Sequence, residues 1–179
     1  MMLERQLDKG QIVALLISAK RYQDELRKLI KFSSKRGKKI CYVSLNMPHQ
    51  TLTEIFKQCK VDPNKFFIVD AVTPTVMSPK PTKGVSFVTS PRAITELGIR
   101  IGEVCKEYKS DLMLFDSLST LLAHVRGPDV PRFVHTLTAR IRTLNSRAIF
   151  PILREDMGSE MMKDLNMFMD AVINTTGKQ

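Results

Sequence analysis

An unbroken run of six apolar residues, Ile12–Ile17 (IVALLI), constrains the fold of this chain more than any other feature. A strand with one face in water alternates apolar and polar residues, so a continuous apolar run indicates a strand buried on both faces. Further strands are predicted at residues 40–45, 65–69, 85–88, 111–115, 148–153 and 171–174. The chain therefore contains several short strands, and at least the first needs cover on two sides.

The stretches between these strands carry apolar residues at helical spacing, with charged residues between them. Helices are predicted over residues 22–35, 49–59, 90–108, 128–144 and 159–165, with a short helix beginning at Leu118. Gly37 is expected to end the first of these helices, and Ser90 followed by Pro91 is expected to begin the third. Residues 73–84 contain three prolines and are predicted to form an exposed loop.

Alternation of strands and helices predicts an α/β fold, a three-layer sandwich with a mostly parallel central sheet. The length of 179 residues suits one domain, covering residues 1–179. No apolar run is long enough to span a membrane, and the amino-terminal residues have no signal-peptide core. The three cysteines are scattered and fit neither a disulfide framework nor a metal site, so reduced thiols in a cytoplasmic protein are expected, with Cys41 and Cys105 in the core.

The net charge of +10 is concentrated between Lys20 and Lys39, where nine Lys and Arg face only Asp24 and Glu25. A basic segment of this kind can attract nucleic acid, anionic lipid or an acidic protein. It can equally be the solvated face of a helix followed by a basic turn. We favour the solvated face, because no aromatic side chain among these charges is available to stack on bases.

Functional groups of parallel α/β sheets lie beyond the carboxyl ends of the strands. The positions that meet this condition are residues 18–21, 46–49, 116–119 and 154–156, together with Asp70. The three histidines have no metal-like spacing. The acidic residues Glu155, Asp156 and Glu160 are interpreted as a solvated loop in preference to a metal site.

Several segments, taken in order, resemble the RecA superfamily, and its KaiC-like branch most of all. They are LDKGQIVALLIS, RGKKICYVSLNMP, DLMLFDSLSTL, SRAIFPILREDM and FMDAVINTT. The resemblance covers almost the whole chain and implies a RecA/P-loop-like topology. It also implies side-by-side assembly, as a homo-oligomer or together with an active relative.

The chain departs from that family at the phosphate-binding loop. In the family the first strand leads into G-x-x-x-x-G-K-[ST], whose glycines let backbone N–H groups surround the phosphates. Here it leads into SAKRYQD, and no glycine lies between Gly10 and Gly37. Lys20 and Arg21 are placed to attract an anion, which Asp24 and Glu25 would oppose. We interpret this segment as a degenerate Walker A loop.

A second departure follows the second strand, where KaiC-like ATPases carry acidic residues that position the attacking water. The matching positions here are near Asn46 and Met47, which supply no carboxylate. Phosphoryl transfer depends on positioning and charge stabilisation, and both are weakened by these two losses. The ATPase machinery is therefore expected to be lost, with no catalytic residue and no ATP or magnesium cofactor.

Asp116 is retained, and the family's aspartate at this place helps to hold magnesium through water. Without a phosphate loop, we favour a role for Asp116 as the cap of the helix that begins at Leu118. The residues of the degenerate nucleotide site are Lys20, Arg21, Asn46, Asp116 and Ser117.

The leading hypothesis is a non-catalytic RecA/KaiC-like interaction or regulatory module, acting by oligomerisation or through a protein partner. Two alternatives stay open. One is a nucleic-acid-binding protein that uses the basic segment from Lys20 to Lys39. The other is a non-standard nucleotide or anion sensor with little ATPase activity. No membrane association is expected.

Overall fold

Seven strands form a single sheet in a computed structural model that describes residues 2–9, 11–156 and 158–175. The strands are β1 (Ile12–Ile17), β2 (Ile40–Ser44), β3 (Phe66–Asp70), β4 (Val85–Phe87), β5 (Leu112–Asp116), β6 (Arg147–Leu153) and β7 (Ala171–Asn174). The helices are α1 (Met2–Lys9), α2 (Tyr22–Arg36), α3 (His49–Cys59), α4 (Thr73–Val76), α5 (Ile94–Glu107), α6 (Leu118–His124), α7 (Asp129–Thr143) and α8 (Ser159–Phe168). Three short 3-10 turns lie at Ala19–Arg21, Pro63–Lys65 and Arg154–Asp156.

The strand order is β4-β3-β2-β5-β6-β1-β7, and every neighbouring pair is parallel. Parallel neighbours need a crossover connection, which most of the helices supply. All strands consequently begin at one edge of the sheet, here called the amino edge, and end at the opposite carboxyl edge. The predicted α/β sandwich is confirmed, and its sheet is parallel throughout.

Two apolar clusters cover the two faces of the sheet. Residues from α1, α2 and α3 pack on one face, and residues from α5, α6 and α7 pack on the other. Along β1, Ile12, Ala14 and Leu16 join the second cluster, whereas Val13, Leu15 and Ile17 join the first. Since successive side chains of a strand point to opposite faces, this double burial explains why the run is apolar without interruption.

Gly37 ends α2, as the sequence predicts. It does not, however, adopt the left-handed conformation that usually favours glycine at the end of a helix. Its φ of −95° is open to any residue, and its amide donates to the Ser33 carbonyl at 2.7 Å. A Cβ atom at this position would lie 2.7 Å from Cγ1 of Ile40. Glycine is therefore needed here for the space it leaves between α2 and β2.

The prediction that Ser90 and Pro91 begin a helix is wrong. The Ser90 carbonyl accepts from the Ala93 amide at 3.1 Å, and α5 begins only at Ile94. Proline at the second position suits a β-turn as well as it suits the first turn of a helix, and the turn forms here.

Two other elements differ from the sequence-based expectation. The segment predicted as a loop, residues 73–84, begins with the single turn of α4, in whose first turn Pro74 lies. The amino-terminal helix α1 was not predicted, and its Leu3 and Leu7 are buried in the first cluster.

Cys41 and Cys105 are buried as predicted, and Cys59 is buried as well. Within the parts of the chain that the structure describes, no helix is long and apolar enough to cross a bilayer.

Replacing Leu97 tests the packing of α5. Leu97 is fully buried, so Leu97→Ala should lower the free energy of unfolding by about 2–5 kcal/mol through lost contacts and a cavity. Ile99 lies in the same helix but is 53% exposed, so Ile99→Ala should stay within about 0.5 kcal/mol of wild type. Urea unfolding followed by circular dichroism measures both, and equal losses would contradict this placement of α5.

Candidate functional site

Asp116, the last residue of β5, is fully buried at the carboxyl edge and accepts hydrogen bonds from three side chains. The Tyr42 hydroxyl donates to Oδ2 at 2.7 Å, and the Asn46 amide donates to Oδ1 at 2.9 Å. The Tyr22 hydroxyl also donates to Oδ1. The carboxylate is thus enclosed by donors from β2, from the segment after β2, and from the first residue of α2.

The strand register explains why these groups meet. Ser44 of β2 lies beside Asp116 of β5, and Tyr42 lies two residues earlier on the same face. That face is covered by α1, α2 and α3, where Tyr42 belongs to the apolar cluster. Tyr22 begins α2 directly above the carboxyl end of β1, so its ring reaches over this face to Asp116.

Burial raises the pKa of Asp116, and the hydrogen bonds from Tyr22, Tyr42 and Asn46 offset only part of this effect. Burial and the neighbouring Asp116 carboxylate also raise the pKa values of Tyr22 and Tyr42. Both phenols are therefore protonated at neutral pH and act as donors. A buried carboxylate is tolerated when donors satisfy its oxygens, which is the role of these three side chains.

The prediction that Asp116 caps α6 is wrong. Ser117 is the N-cap, and its Oγ accepts from the Thr120 amide at 3.2 Å. Asp116 still belongs to the strand, so its side chain points toward the layer of α1, α2 and α3, away from α6.

A chain of polar contacts continues from Asp116 through Asn46. The Asn46 Oδ1 accepts from the Thr120 hydroxyl, which lies 3.0 Å from Ser117 Oγ. These groups border a pocket of about 270 Å³, slightly below the range of about 300–1,000 Å³ for ligand sites. Its lining residues are Ala19, Tyr22, Gln23, Asn46, Ser117, Thr120 and Leu153.

The structure brings Asn46, Asp116 and Ser117 together but places the two predicted cations outside the pocket lining. Arg21 forms an ion pair with Glu25 at 3.0 Å, and half of the arginine side chain is exposed. Lys20 is exposed in the 3-10 turn between β1 and α2. Two acidic residues were expected to repel an anion at this turn. Glu25 forms an ion pair with Arg21, whereas Asp24 is exposed.

Glu155, which the sequence places at the functional edge but which we interpreted as part of a solvated loop, contacts the turn after β1. Both of its carboxylate oxygens accept from the Ala19 amide at 3.2 Å, and one accepts from the Ser18 hydroxyl at 3.3 Å. Its own backbone amide and that of Ala19 lower the pKa of Glu155. This contact forms because Glu155 lies two residues after β6, which is the neighbour of β1 in the sheet.

A second buried carboxylate, Asp70, lies at the end of β3. Oδ1 accepts from the Val72 and Thr73 amides at 2.8 and 2.9 Å. Oδ2 accepts from the His49 amide at 2.8 Å and from the Thr73 hydroxyl at 2.5 Å, and it lies 2.9 Å from His49 Nδ1. Asp70 therefore joins the beginnings of α3 and α4 to the sheet. Burial acts to raise its pKa, but the hydrogen bonds from Thr73, His49 and Val72 outweigh burial and lower it.

No group of three or more His, Cys, Asp or Glu side chains is arranged to hold a metal ion within residues 2–9, 11–156 and 158–175. The two buried carboxylates of the carboxyl edge, Asp116 and Asp70, are each satisfied by separate sets of hydrogen bonds within the protein.

Asp70→Asn should lower the free energy of unfolding by about 2–3 kcal/mol at neutral pH, because an amide cannot accept from every donor that Asp70 satisfies. The folded-state pKa lies below the ordinary value of 3.8, so the carboxylate stabilises the fold at all pH values above 3.8. This contribution is lost as the pH falls through the folded-state pKa. The difference between variant and wild type should therefore shrink in acid.

Urea unfolding over a pH series measures this difference. Asp24→Asn is the control, because Asp24 is exposed and forms no ion pair among the described residues. A loss for Asp70→Asn that does not change between neutral and acidic pH would contradict the role of the charge.

Comparison with known proteins supports the fold. No curated protein matches the sequence. Among solved structures, the chain is similar to a KaiC-like protein of the hyperthermophilic archaeon Pyrococcus horikoshii OT3, with a TM-score of 0.68 and 14% sequence identity. The match covers 95% of this chain and 75% of that protein, and it confirms the RecA/KaiC-like fold.

Residues 23–175 match a family of unknown function, DUF7504. The match extends from the first turn of α2 to the residue after β7 and so includes most of the sheet and both carboxylates. The chain therefore belongs to the DUF7504 family.

Proposed function

We propose that this chain is a single RecA/KaiC-like domain, spanning residues 1–179, that does not hydrolyse ATP and serves as an interaction or regulatory module. It would act by assembling with copies of itself or with an active relative. The observation that carries the proposal is the enclosure of Asp116 by Tyr22, Tyr42 and Asn46.

In the ATPases that the sequence resembles, the corresponding aspartate holds magnesium through water. Here Asp116 has no exposed surface, and both of its oxygens accept from protein side chains. Tyr22 closes the approach from α2, where a bound nucleotide would need space. The surroundings of Asp116 therefore do not fit a hydrated magnesium ion.

The turn between β1 and α2 does not fit a triphosphate either. No glycine lies between Gly10 and Gly37, so the segment matches no Walker A loop, and we interpret it as degenerate. The Ala19 amide, which could donate to a phosphate, donates to Glu155. A carboxylate at this place repels phosphate oxygens, and Arg21, one of the two nearby cations, is already paired with Glu25.

The positions after β2, where KaiC-like ATPases carry the acidic residues that position the attacking water, are also changed in this chain. Asn46 is hydrogen-bonded to Asp116 and Thr120, and the adjacent Met47 is buried. Neither side chain can remove a proton from water. Because positioning and charge stabilisation supply most of phosphoryl-transfer catalysis, this combination favours a non-catalytic role.

The three buried, free cysteines agree with a reducing compartment, and the proposal therefore places the protein in the cytoplasm.

Calorimetric titration of Mg-ATP into the full chain should give no saturable micromolar binding, and a phosphate-release assay should give no turnover above the blank. A KaiC-like ATPase with an intact Walker A loop is the positive control. Micromolar binding with turnover that Asp116→Asn abolishes would overturn the proposal. Binding without turnover would favour the nucleotide or anion sensor.

Assembly is the second expected property. Light scattering coupled to size-exclusion chromatography should give a mass above that of one chain, decreasing on dilution. Addition of a KaiC-like ATPase from the same organism should shift both proteins to a common peak if the partner is an active relative. A monomer at every concentration, with no shift, would contradict an interaction role of this kind.

A further inference from the structure

Cations line the amino edge of the sheet, opposite the edge that holds the buried carboxylates. Because every strand is parallel, the residues that precede the strands share this edge. Five neighbouring strands, β4, β3, β2, β5 and β6, each begin with or closely follow a Lys or Arg. In sheet order the residues of this amino-edge basic row are Lys83, Lys65, Lys38 with Lys39, Lys109 and Arg147.

Three members of the row have free side chains. Lys38, Lys83 and Lys109 are exposed, and their amino groups make no hydrogen bond or ion pair to any residue that the structure describes. The other members are partly engaged within the protein. Lys65 donates to the Ser34 carbonyl at 2.8 Å, and Lys39 lies 5.1 Å from the centre of the Tyr108 ring.

Two acidic residues beside the row, Asp111 and Asp62, accept hydrogen bonds from backbone amides. Asp111 accepts from the Lys38 and Lys39 amides at 2.9–3.0 Å and lies 3.9 Å from Arg147. Asp62 accepts from the Asn64 amide at 2.9 Å. Together with the exposed Glu107 at the end of α5, three carboxylates stand beside the six cations of the row, which therefore keeps an excess of positive charge.

The fold divides the basic segment between Lys20 and Lys39 into two parts. α2 has 15 residues and is about 22 Å long, so Lys20 lies near the carboxyl edge and Lys38 at the amino edge. Glu25 forms ion pairs with Arg21 and Lys28 at 3.0 and 2.8 Å, which reduces the charge of the first part. The second part joins the amino-edge basic row.

We propose that the amino-edge basic row binds the phosphate backbone of nucleic acid without sequence preference. Adjacent strands lie about 4.8 Å apart, so five strands give a row of roughly 19 Å. Duplex DNA carries one charge per about 1.7 Å of axis, so a row of this length faces several phosphates. The free lysines supply this contact without breaking any internal interaction.

A duplex fits this row better than a membrane does. The exposed large apolar side chains among the described residues are Val76, Met77, Ile99 and Met167, and none lies within three residues before a strand of the row. A surface that enters a membrane combines basic residues with apolar side chains that insert, and this edge offers only the charges.

The test is fluorescence anisotropy of the full chain with a labelled DNA duplex of mixed sequence over a salt series. Wild type should bind at low salt, with a log–log slope of about −3 for three to four phosphate contacts. The triple variant Lys38→Gln, Lys83→Gln, Lys109→Gln should bind at least about tenfold more weakly, with a smaller slope.

The matched control is Arg92→Gln, Arg126→Gln, Lys163→Gln, which removes the same charge from exposed positions outside the row. It should change the affinity by less than about twofold. Thermal unfolding of both variants checks that they remain folded. No binding by wild type at low salt, an equal loss in both variants, or tighter binding to phosphatidylserine vesicles than to DNA would each overturn the proposal.

Discussion

Helices cover the central sheet on both sides, so the inner strands β1, β2 and β5 bury both faces of their side chains away from water. A parallel sheet with helical crossovers satisfies this condition along the whole of β1, where six residues divide between two apolar clusters. The same condition places all strand beginnings on one edge and all strand ends on the other. The buried carboxylates at one edge and the basic row at the other both follow from this arrangement.

The sequence predicts the layers because the signals for them are local. Apolar runs mark the strands, and helical spacing marks the helices, so α3 and β7 were predicted with the bounds that the structure shows. Ser90 and Pro91 misled the prediction because a Ser-Pro pair fits a turn as well as a helix start. The opening helix α1 is short, and only Leu3 and Leu7 among its described side chains are buried, which leaves little periodicity to detect.

The site was predictable in its location but not in its contacts. Strand-end positions correctly brought Asn46, Asp116 and Ser117 to one edge. The hydrogen-bond donors of Asp116 were not predictable from local patterns. Tyr22 and Asn46 lie 94 and 70 residues away from Asp116 in the sequence. Glu155 was interpreted as part of a solvated loop, since nothing within its own segment shows that the Ala19 amide lies opposite. Such contacts depend on strand order, which local patterns do not specify.

The position of β1 has a consequence for how the chain is made. β1 pairs with β6 on one side and with β7 on the other, and these are the last two of the seven strands of this sheet to leave the ribosome. At about 5–20 residues per second, synthesis leaves the most apolar strand of the protein without either neighbour for on the order of ten seconds. A nascent chain of this topology must keep that strand from associating with other molecules, by transient cover from α1 and α2 or by a chaperone.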